Sequence, residues 1–268
     1  MKVIGRIKKY WKLLCLMIRV QLMSELEYRI NFIAGILVEI GYFLAKLSYV
    51  FVVIQTKLTL GDFGPYHIVT CIGVYIVLTG IYMFFWPALK SFPEKVQSGS
   101  LDLLMVKPIS TFFIVSCSKT SLSMFLPNFI LGWLVIIYGW YKSGEAFILS
   151  NLILGLFYIF TGTILTFCFF FIPPIISFWV IRIDKMNSVL ASLWDFNNMP
   201  MNNYPEWLQK IGLYIIPVFV ITNPAAFTFL NHRNIELSVV AVASPVVFCS
   251  LLSIVWNQGI KRYHSATS

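Results

Sequence analysis

Long apolar runs constrain this chain more than any other feature of its sequence. Several stretches contain hardly a charge, and at about 20 residues each they are long enough to cross a bilayer as helices. Only 12% of the 268 residues are charged, whereas a soluble domain carries about 25%, and the mean hydropathy is +0.81. This composition leaves too little polar surface for a water-soluble globule of this size. The sequence therefore predicts an all-α, polytopic membrane protein.

The apolar pattern predicts six transmembrane helices. Five runs are clear, and they cover residues 31–54, 67–89, 111–140 (in lipid after Lys119), 146–181 and 237–256. Pro173 and Pro174 should kink or end the fourth run. The sixth crossing has two interpretations. Either residues 207–230 cross once, or residues 186–201 form a short fifth span and residues 207–230 re-enter from the opposite side.

The distribution of lysine and arginine predicts the orientation. Sixteen of the 20 cations lie in segments that this topology places on one side, which are residues 1–30, 90–119, 182–210 and the C-terminal tail. Three lie in the other loops and Lys46 lies within the first span; the re-entrant alternative moves Lys210 outward and changes the tally to 15 against 4. The positive-inside rule then places both termini in the cytoplasm, across the cell membrane. The net charge of +9 has the same explanation, so nucleic acid is not an expected partner.

Residues 1–30 predict an amphipathic helix that lies in the membrane interface, ahead of a single transmembrane domain formed by residues 31–268. Its apolar side chains share a narrow face, and cations occupy a neighbouring arc, which suits anionic headgroups. A signal peptide is the alternative, but Arg19, Glu25, Glu27 and Arg29 interrupt any apolar core. The interfacial helix is therefore favoured.

Motifs for catalysis or metal binding are absent from the sequence. There is no G-x-x-x-x-G-K-[ST] loop for ATP, no G-x-S-x-G elbow and no H-E-x-x-H pair. The five cysteines are scattered without a C-x-x-C pair, and the three histidines are isolated along the chain. We therefore expect no enzyme, no metal site and no cofactor bound by this chain.

Two ionisable residues, Glu39 and Lys46, fall within the first span. They are seven residues apart, hence on one helix face but about 10 Å apart along the axis, which is too far for a firm ion pair. Charges at this depth usually face a bundle interior or a cavity. One interpretation is a translocation pathway or a subunit seam. The other is that Glu39 bonds a neighbouring span while Lys46 reaches toward the surface.

Residues 90–110 predict a polar helical elbow between the second and third spans. Pro93 and Glu94 suit the first turn of a helix, and Gly99 suits its end. A second short helix over residues 100–106 should stop at Lys107 and Pro108. A rigid elbow on the cytoplasmic side could receive force from a soluble motor, whereas the alternative is an ordinary loop.

The elbow is also where the chain resembles the ABC-2-type permease family, in its compact six-span branch. The most specific string is VQSGSLDLLMVKPI at residues 96–109. The other matching strings follow in order and are EYRINFIAGILVEIGY (27–42), SFW (177–179), YPEWL (204–208), IPVFVITNPA (216–225) and WNQGIKRYHSA (256–266). The resemblance therefore extends over nearly the whole chain.

The resemblance implies a permease that pairs with a second copy or a homologous permease. Two copies of a separate ATPase subunit, which would bind ATP and Mg²⁺, dock below. It favours the short fifth span with re-entrant helices outside, although Arg182, Asp184 and Lys185 leave that span only a brief stretch. It assigns ATPase coupling to Glu94, Lys95, Gly99, Leu101, Asp102, Lys107 and Pro108.

The expected function is export of a drug, peptide or other amphipathic molecule. A self-sufficient secondary transporter would normally show more ionisable groups near the midplane and an inverted repeat, and neither is visible in the sequence. An immunity-type membrane protein that works without an ATPase stays open as an alternative.

Overall fold

The computed structural model describes residues 2–180 and 183–263, without the side chains of Lys2–Ile4, Arg6 and Asp184. The predicted tail beyond Tyr263 and the Arg182 position lie outside this description. Within it the chain is helical and contains no β-strand. The helices are α1 (Lys2–Glu27), α2 (Arg29–Gln55), α3 (Pro65–Gln97), α4 (Asp102–Met105), α5 (Thr111–Cys117), α6 (Leu122–Ser143), α7 (Leu149–Ile175), α8 (Asp184–Trp194), α9 (Glu206–Lys210), α10 (Val218–Phe229) and α11 (Ile235–Arg262). Short 3₁₀ turns cover Ile176–Phe178, Asp195–Asn198 and Met201–Asn203, and a π turn covers Ile211–Ile215.

Five helices of the described chain are long and apolar enough to cross a membrane, namely α2, α3, α6, α7 (extended to Phe178) and α11. These are the five clear runs of the sequence, and the prediction of an all-α polytopic protein is confirmed. By length and composition, a sixth span is counted among the described residues only if Glu206–Ile215 and Val218–Phe229, which are bent by 101° at their junction, form one span; the alternative is that this pair is a re-entrant loop. Helix α8 has 11 residues, so by itself it is shorter than the roughly 20 residues of a spanning helix.

Two predicted helix boundaries are wrong. The elbow does not start a new helix at Pro93, because α3 runs unbroken through Pro87 and Pro93 for 33 residues. Membrane helices tolerate such prolines where neighbouring groups satisfy the freed backbone. The third run is not one helix either, since it breaks between α5 and α6. At this break the backbone N–H of Ser121 bonds the Phe84 carbonyl of α3 at 3.2 Å, and this tertiary contact replaces helix continuity.

Helix α3 occupies the centre of the bundle and packs most closely against α6. The contact runs through Gly73 and Gly80 on α3 and through Gly132 and Gly139 on α6, each pair seven residues apart and hence on one face. A Cβ atom at Gly73 or Gly132 would lie 2.7 Å from a backbone nitrogen of the opposite helix. Small residues let membrane helices approach until their backbones touch. The four glycines therefore allow α3 and α6 to pack with their backbones in contact.

Helix α10 is buried along its whole length, between α7 and α3. Gly162 of α7 admits the Ile221 carbonyl so closely that no Cβ would fit. The buried polar groups of α10 are satisfied, since Thr222 Oγ1 donates to Asn197 Oδ1 at 2.7 Å and Asn223 Oδ1 accepts from the Met201 N–H at 2.9 Å. The bent pair is therefore a core element, held in place by the 3₁₀ turns before it.

Candidate functional site: elbow, charged seam and clasp

The elbow is a continuation of α3. The helix ends at Gln97, Gly99 takes a left-handed conformation at φ 73°, and the Leu101 N–H bonds the Lys95 carbonyl at 3.1 Å. This is the reversal that glycine supports at a helix C-terminus, so the predicted stop at Gly99 is confirmed. Helix α4 follows and ends before Lys107, close to the predicted second helix.

The elbow is fastened to the bundle at three points. Leu101 is fully buried, so this residue anchors the elbow and does not present a surface to a partner. Lys95 Nζ donates to Ser118 Oγ at 3.0 Å. Asp102 lies by the Tyr263 hydroxyl at the end of α11, where burial and this carboxylate together raise the pKa of Tyr263. The elbow is therefore held rigidly against α5, α6 and α11.

The outward face of the elbow combines apolar and charged side chains. Leu103 is 69% exposed and Val106 is 82% exposed, and Glu94, Lys107 and Pro108 are also exposed. Leu103 and Val106 therefore form a small exposed apolar surface beside polar side chains. Sequence reasoning missed Leu103 and Val106. No local sequence pattern marks them, because α4 has only four residues.

Helix α1 is tied to the elbow and to α6. The Tyr10 hydroxyl accepts from the Ser110 N–H at 3.2 Å, and its ring meets Phe113 edge-on at 4.9 Å. The Glu25 carboxylate accepts from the backbone N–H groups of Leu122 and Ser123 at 3.2–3.3 Å. A carboxylate at a helix N-terminus is favoured by the free N–H groups and the helix dipole. Glu25 therefore caps α6, a role that the sequence did not reveal.

Glu39 and Lys46 have separate partners, as their spacing predicted. Glu39 is 5% exposed, and Asn128 Nδ2 of α6 donates to its Oε2 at 2.6 Å. Lys46 Nζ lies 3.8 Å from the centre of the Tyr75 ring, in a cation–π contact. The Tyr75 hydroxyl donates to Asp195 Oδ1 at 3.2 Å. We call these five residues, which are Glu39, Lys46, Tyr75, Asn128 and Asp195, the charged seam.

The charged seam joins α2 to three other parts of the bundle. Asn128 belongs to α6, Tyr75 to α3, and Asp195 to the turn after α8. Trp194, beside Asp195, donates from Nε1 to Thr79 Oγ1 of α3 at 3.2 Å. The interpretation that Glu39 bonds a neighbouring span is confirmed, whereas the role of the seam in a pathway stays a prediction.

At the opposite end of the bundle from the elbow, the first turn of α3 and the loops after α6 and α10 meet in a hydrogen-bonded cluster that we call the clasp. His67 Nε2 lies 3.2 Å from Glu145 Oε1, and Asn231 Nδ2 donates to Glu145 Oε2 at 2.9 Å. The His232 ring lies 5.6 Å from the His67 ring. Partial burial disfavours the charge on Glu145, but the bonds from Asn231 and His67 prevail and lower the pKa of Glu145. His67 and His232 are isolated along the chain, but the fold brings them together, so the interpretation that they are isolated does not hold in the folded protein.

The clasp does not have the bonding pattern of a metal centre, although donor atoms of His67, Glu145 and His232 lie within 4.8 Å of one another. His67 Nδ1 accepts the Gly64 N–H at 2.9 Å, so the neutral ring carries its proton on Nε2 and donates it to Glu145. A metal-bound histidine normally donates through its other ring nitrogen, which is the reverse arrangement. The hydrogen bonds of the clasp join the loops after α6 and α10 to the first turn of α3.

The cysteines also include one close pair. Cys168 of α7 and Cys249 of α11 approach to 3.7 Å between Sγ atoms, although the sequence separates them widely. Both are free thiols, and they mark a packed contact between these two helices.

A bundle of five or six membrane-length helices defines a polytopic membrane protein. Residues 40–267 match the family model described as ABC-2 family transporter protein. The chain belongs to that family, and its role is in membrane transport. No curated protein and no solved structure matches the chain.

Proposed function

We propose that this chain is the membrane-spanning subunit of an ATP-driven exporter and that the elbow is where a separate ATPase docks. Family membership supports the transport role, and ABC-2 permeases are normally the non-catalytic membrane component. The observation that carries the docking site is the outward face of the elbow, with Leu103 and Val106 exposed and Leu101 buried beneath them. Two exposed apolar side chains on an elbow that is fastened to the bundle suit the docking of a partner that transmits force through the elbow.

The proposed assembly has two ATPase copies beneath two permeases, either identical or homologous. ATP and Mg²⁺ bind to the ATPase, and this chain holds neither. The orientation follows from the excess of cations in segments at the elbow end, with both termini in the cytoplasm of the cell. Helix α1 lies in the cytoplasmic interface, and its exposed Ile7 and Trp11 face lipid.

The sharp bend between α9 and α10 supports the re-entrant topology. A 101° bend and complete burial of α10 suit a segment that dips into the bundle from outside and turns back. In this topology α8 with its 3₁₀ turn is the short fifth span, and the clasp lies on the outer face, where His67, Glu145 and Asn231 hold the outer loops together.

The proposed mechanism is alternating access. ATP brings the two ATPase subunits together, the elbows move with them, and α3 carries the displacement into the bundle because the elbow is continuous with that helix. Such work requires contacts that differ between two states. The charged seam is the element placed to differ, since it joins α2, α3, α6 and the turn after α8. The expected cargo is a drug, peptide or another amphipathic molecule.

A pair of matched substitutions tests the docking site. Val106 at the elbow and Ile235 at the opposite end of the bundle are 82% and 84% exposed, so neither Val106→Asp nor Ile235→Asp should disturb the fold. Tagged variants are purified from native membranes in mild detergent, and co-purifying proteins with a G-x-x-x-x-G-K-[ST] loop are identified by mass spectrometry. We expect the ATPase to be retained by the unaltered chain and by Ile235→Asp and lost from Val106→Asp. Equal retention in both variants would remove the elbow as the docking site.

A further inference from the structure

A long apolar groove lies between α7 and α11 in the clasp half of the bundle. Its volume is about 830 Å³, within the range of small-ligand sites, and its walls are almost entirely aliphatic. The lining side chains include Leu154, Tyr158, Val239, Val242, Val246 and Val247. A groove of this shape and composition suits an acyl chain.

The polar end of the groove carries a cation. Arg233 lines the groove there, together with Ser238 and Thr228. Its Nη2 donates to Ser150 Oγ at 3.2 Å, which orients the guanidinium. Among residues 2–180 and 183–263 no carboxylate forms an ion pair with Arg233, and Glu236 on the neighbouring turn is bonded instead to the Tyr214 hydroxyl. A guanidinium without a carboxylate partner is suited to a phosphate.

The groove is open on its lipid side. Val239 and Val246, which line the groove, are 62% and 67% exposed, so the groove is open to the surrounding bilayer. The openness and the cation together favour a molecule that comes from the bilayer and carries a negative headgroup.

A second cavity follows the same helix pair in the elbow half and differs in one respect. It has a volume of about 590 Å³ and lies between residues such as Phe112, Phe167, Leu252 and Trp256. No charged side chain lines it. Any preference for an anionic headgroup should therefore come from the groove that contains Arg233.

We propose that the groove between α7 and α11 is a binding site for one anionic phospholipid. The phosphate lies against the Arg233 guanidinium, and an acyl chain lies along Val239, Val242 and Val246. That this site belongs to the outer leaflet rests on the proposed function, whereas the binding itself does not.

The test uses the purified chain in non-ionic detergent, without any ATPase, and counts bound lipids by native mass spectrometry. The probes are phosphatidylglycerol and phosphatidylcholine with the same acyl chains. Arg233→Gln removes the charge, and Lys142→Gln is its control, since Lys142 is a cation at the same end of the bundle that does not line the groove. Ala243→Trp fills the groove, and Ser250→Trp is its control on α11 outside both cavities.

We expect the unaltered chain to prefer phosphatidylglycerol. Loss of a charged hydrogen bond should weaken its binding roughly tenfold in Arg233→Gln. Phosphatidylcholine binding should weaken less, because the choline ammonium already neutralises its phosphate, so the preference for phosphatidylglycerol falls. Ala243→Trp should weaken both lipids, and both controls should resemble the unaltered chain. Unchanged headgroup preference in Arg233→Gln overturns the proposal. So does unaltered binding in Ala243→Trp, or a change from dimer to monomer in that variant, which would show that a second copy covers the groove. If Ala243→Trp does not fold, Arg233→Gln still decides. A failure of ATPase docking leaves this result untouched.

Discussion

Replacing Asn128 by leucine should expose the energetic role of the charged seam. In the structure Glu39 is 5% exposed and its carboxyl group accepts the Asn128 amide at 2.6 Å. Hydrogen bonds between membrane helices average about 0.6 kcal/mol and reach about 1.7 kcal/mol. Because the leucine side chain would also leave the buried carboxyl group without this donor, we expect Asn128→Leu to destabilise the bundle by about 3 kcal/mol.

A double-mutant cycle isolates this bond from the change in packing. Glu39→Leu removes the acceptor, and Asn128→Leu removes the donor. Thermal unfolding of detergent-purified variants is followed by circular dichroism, where about 3 kcal/mol corresponds to roughly 6 °C for a chain of this size. We expect the coupling energy between the two positions to exceed about 1 kcal/mol. Additive effects within about 0.5 kcal/mol would refute the reasoning, because independent sites behave in that way.

Three further outcomes can be measured. Gly132→Leu should prevent folding, whereas Gly41→Leu should not, because a Cβ at Gly132 meets the α3 backbone and one at Gly41 meets nothing within 4 Å; size-exclusion profiles of fluorescent fusions compare the two. Asp102→Lys combined with Gly99→Pro should abolish stimulation of ATPase activity and transport, with membrane insertion intact, and unchanged activity would contradict the elbow assignment. Since its pKa is lowered in the fold, Glu145 should stabilise the clasp above its ordinary pKa and lose that contribution as the pH falls through the lowered value; hydrogen exchange of the outer loops from neutral to acid pH follows the loss.

The elements predicted correctly are those that short-range chemistry determines. The spans α2 and α11 follow from hydropathy, and the reversal at Gly99 follows from the conformational freedom of glycine at a helix end. Pro93 misled because its preference for a first turn is weaker than the packing that keeps α3 helical. The break before α6 depends on a bond between Ser121 and Phe84, which no local pattern contains.

The clasp and the Glu25 cap could not be predicted from spacing. His67 and Glu145 are 78 residues apart, and Glu25 lies 97 residues from Leu122, so only the tertiary fold brings them together. Hydropathy also could not distinguish a crossing helix from α10, because a helix buried in protein and one exposed to lipid are equally apolar. The direction of Leu103 and Val106 depends on the exact phase of α4, which a four-residue helix does not reveal in sequence.

The unbroken passage of α3 from the clasp to the elbow has a mechanical consequence. A helix of 33 residues is about 50 Å long, so it can act as a lever. The contact between His67 and Glu145 holds its far end. Because α3 is continuous up to Gln97, a displacement of the elbow should move the whole helix. If this chain is the exporter subunit proposed above, two glycines inserted after Gln97 should uncouple it, so that the ATPase continues to hydrolyse ATP without transport.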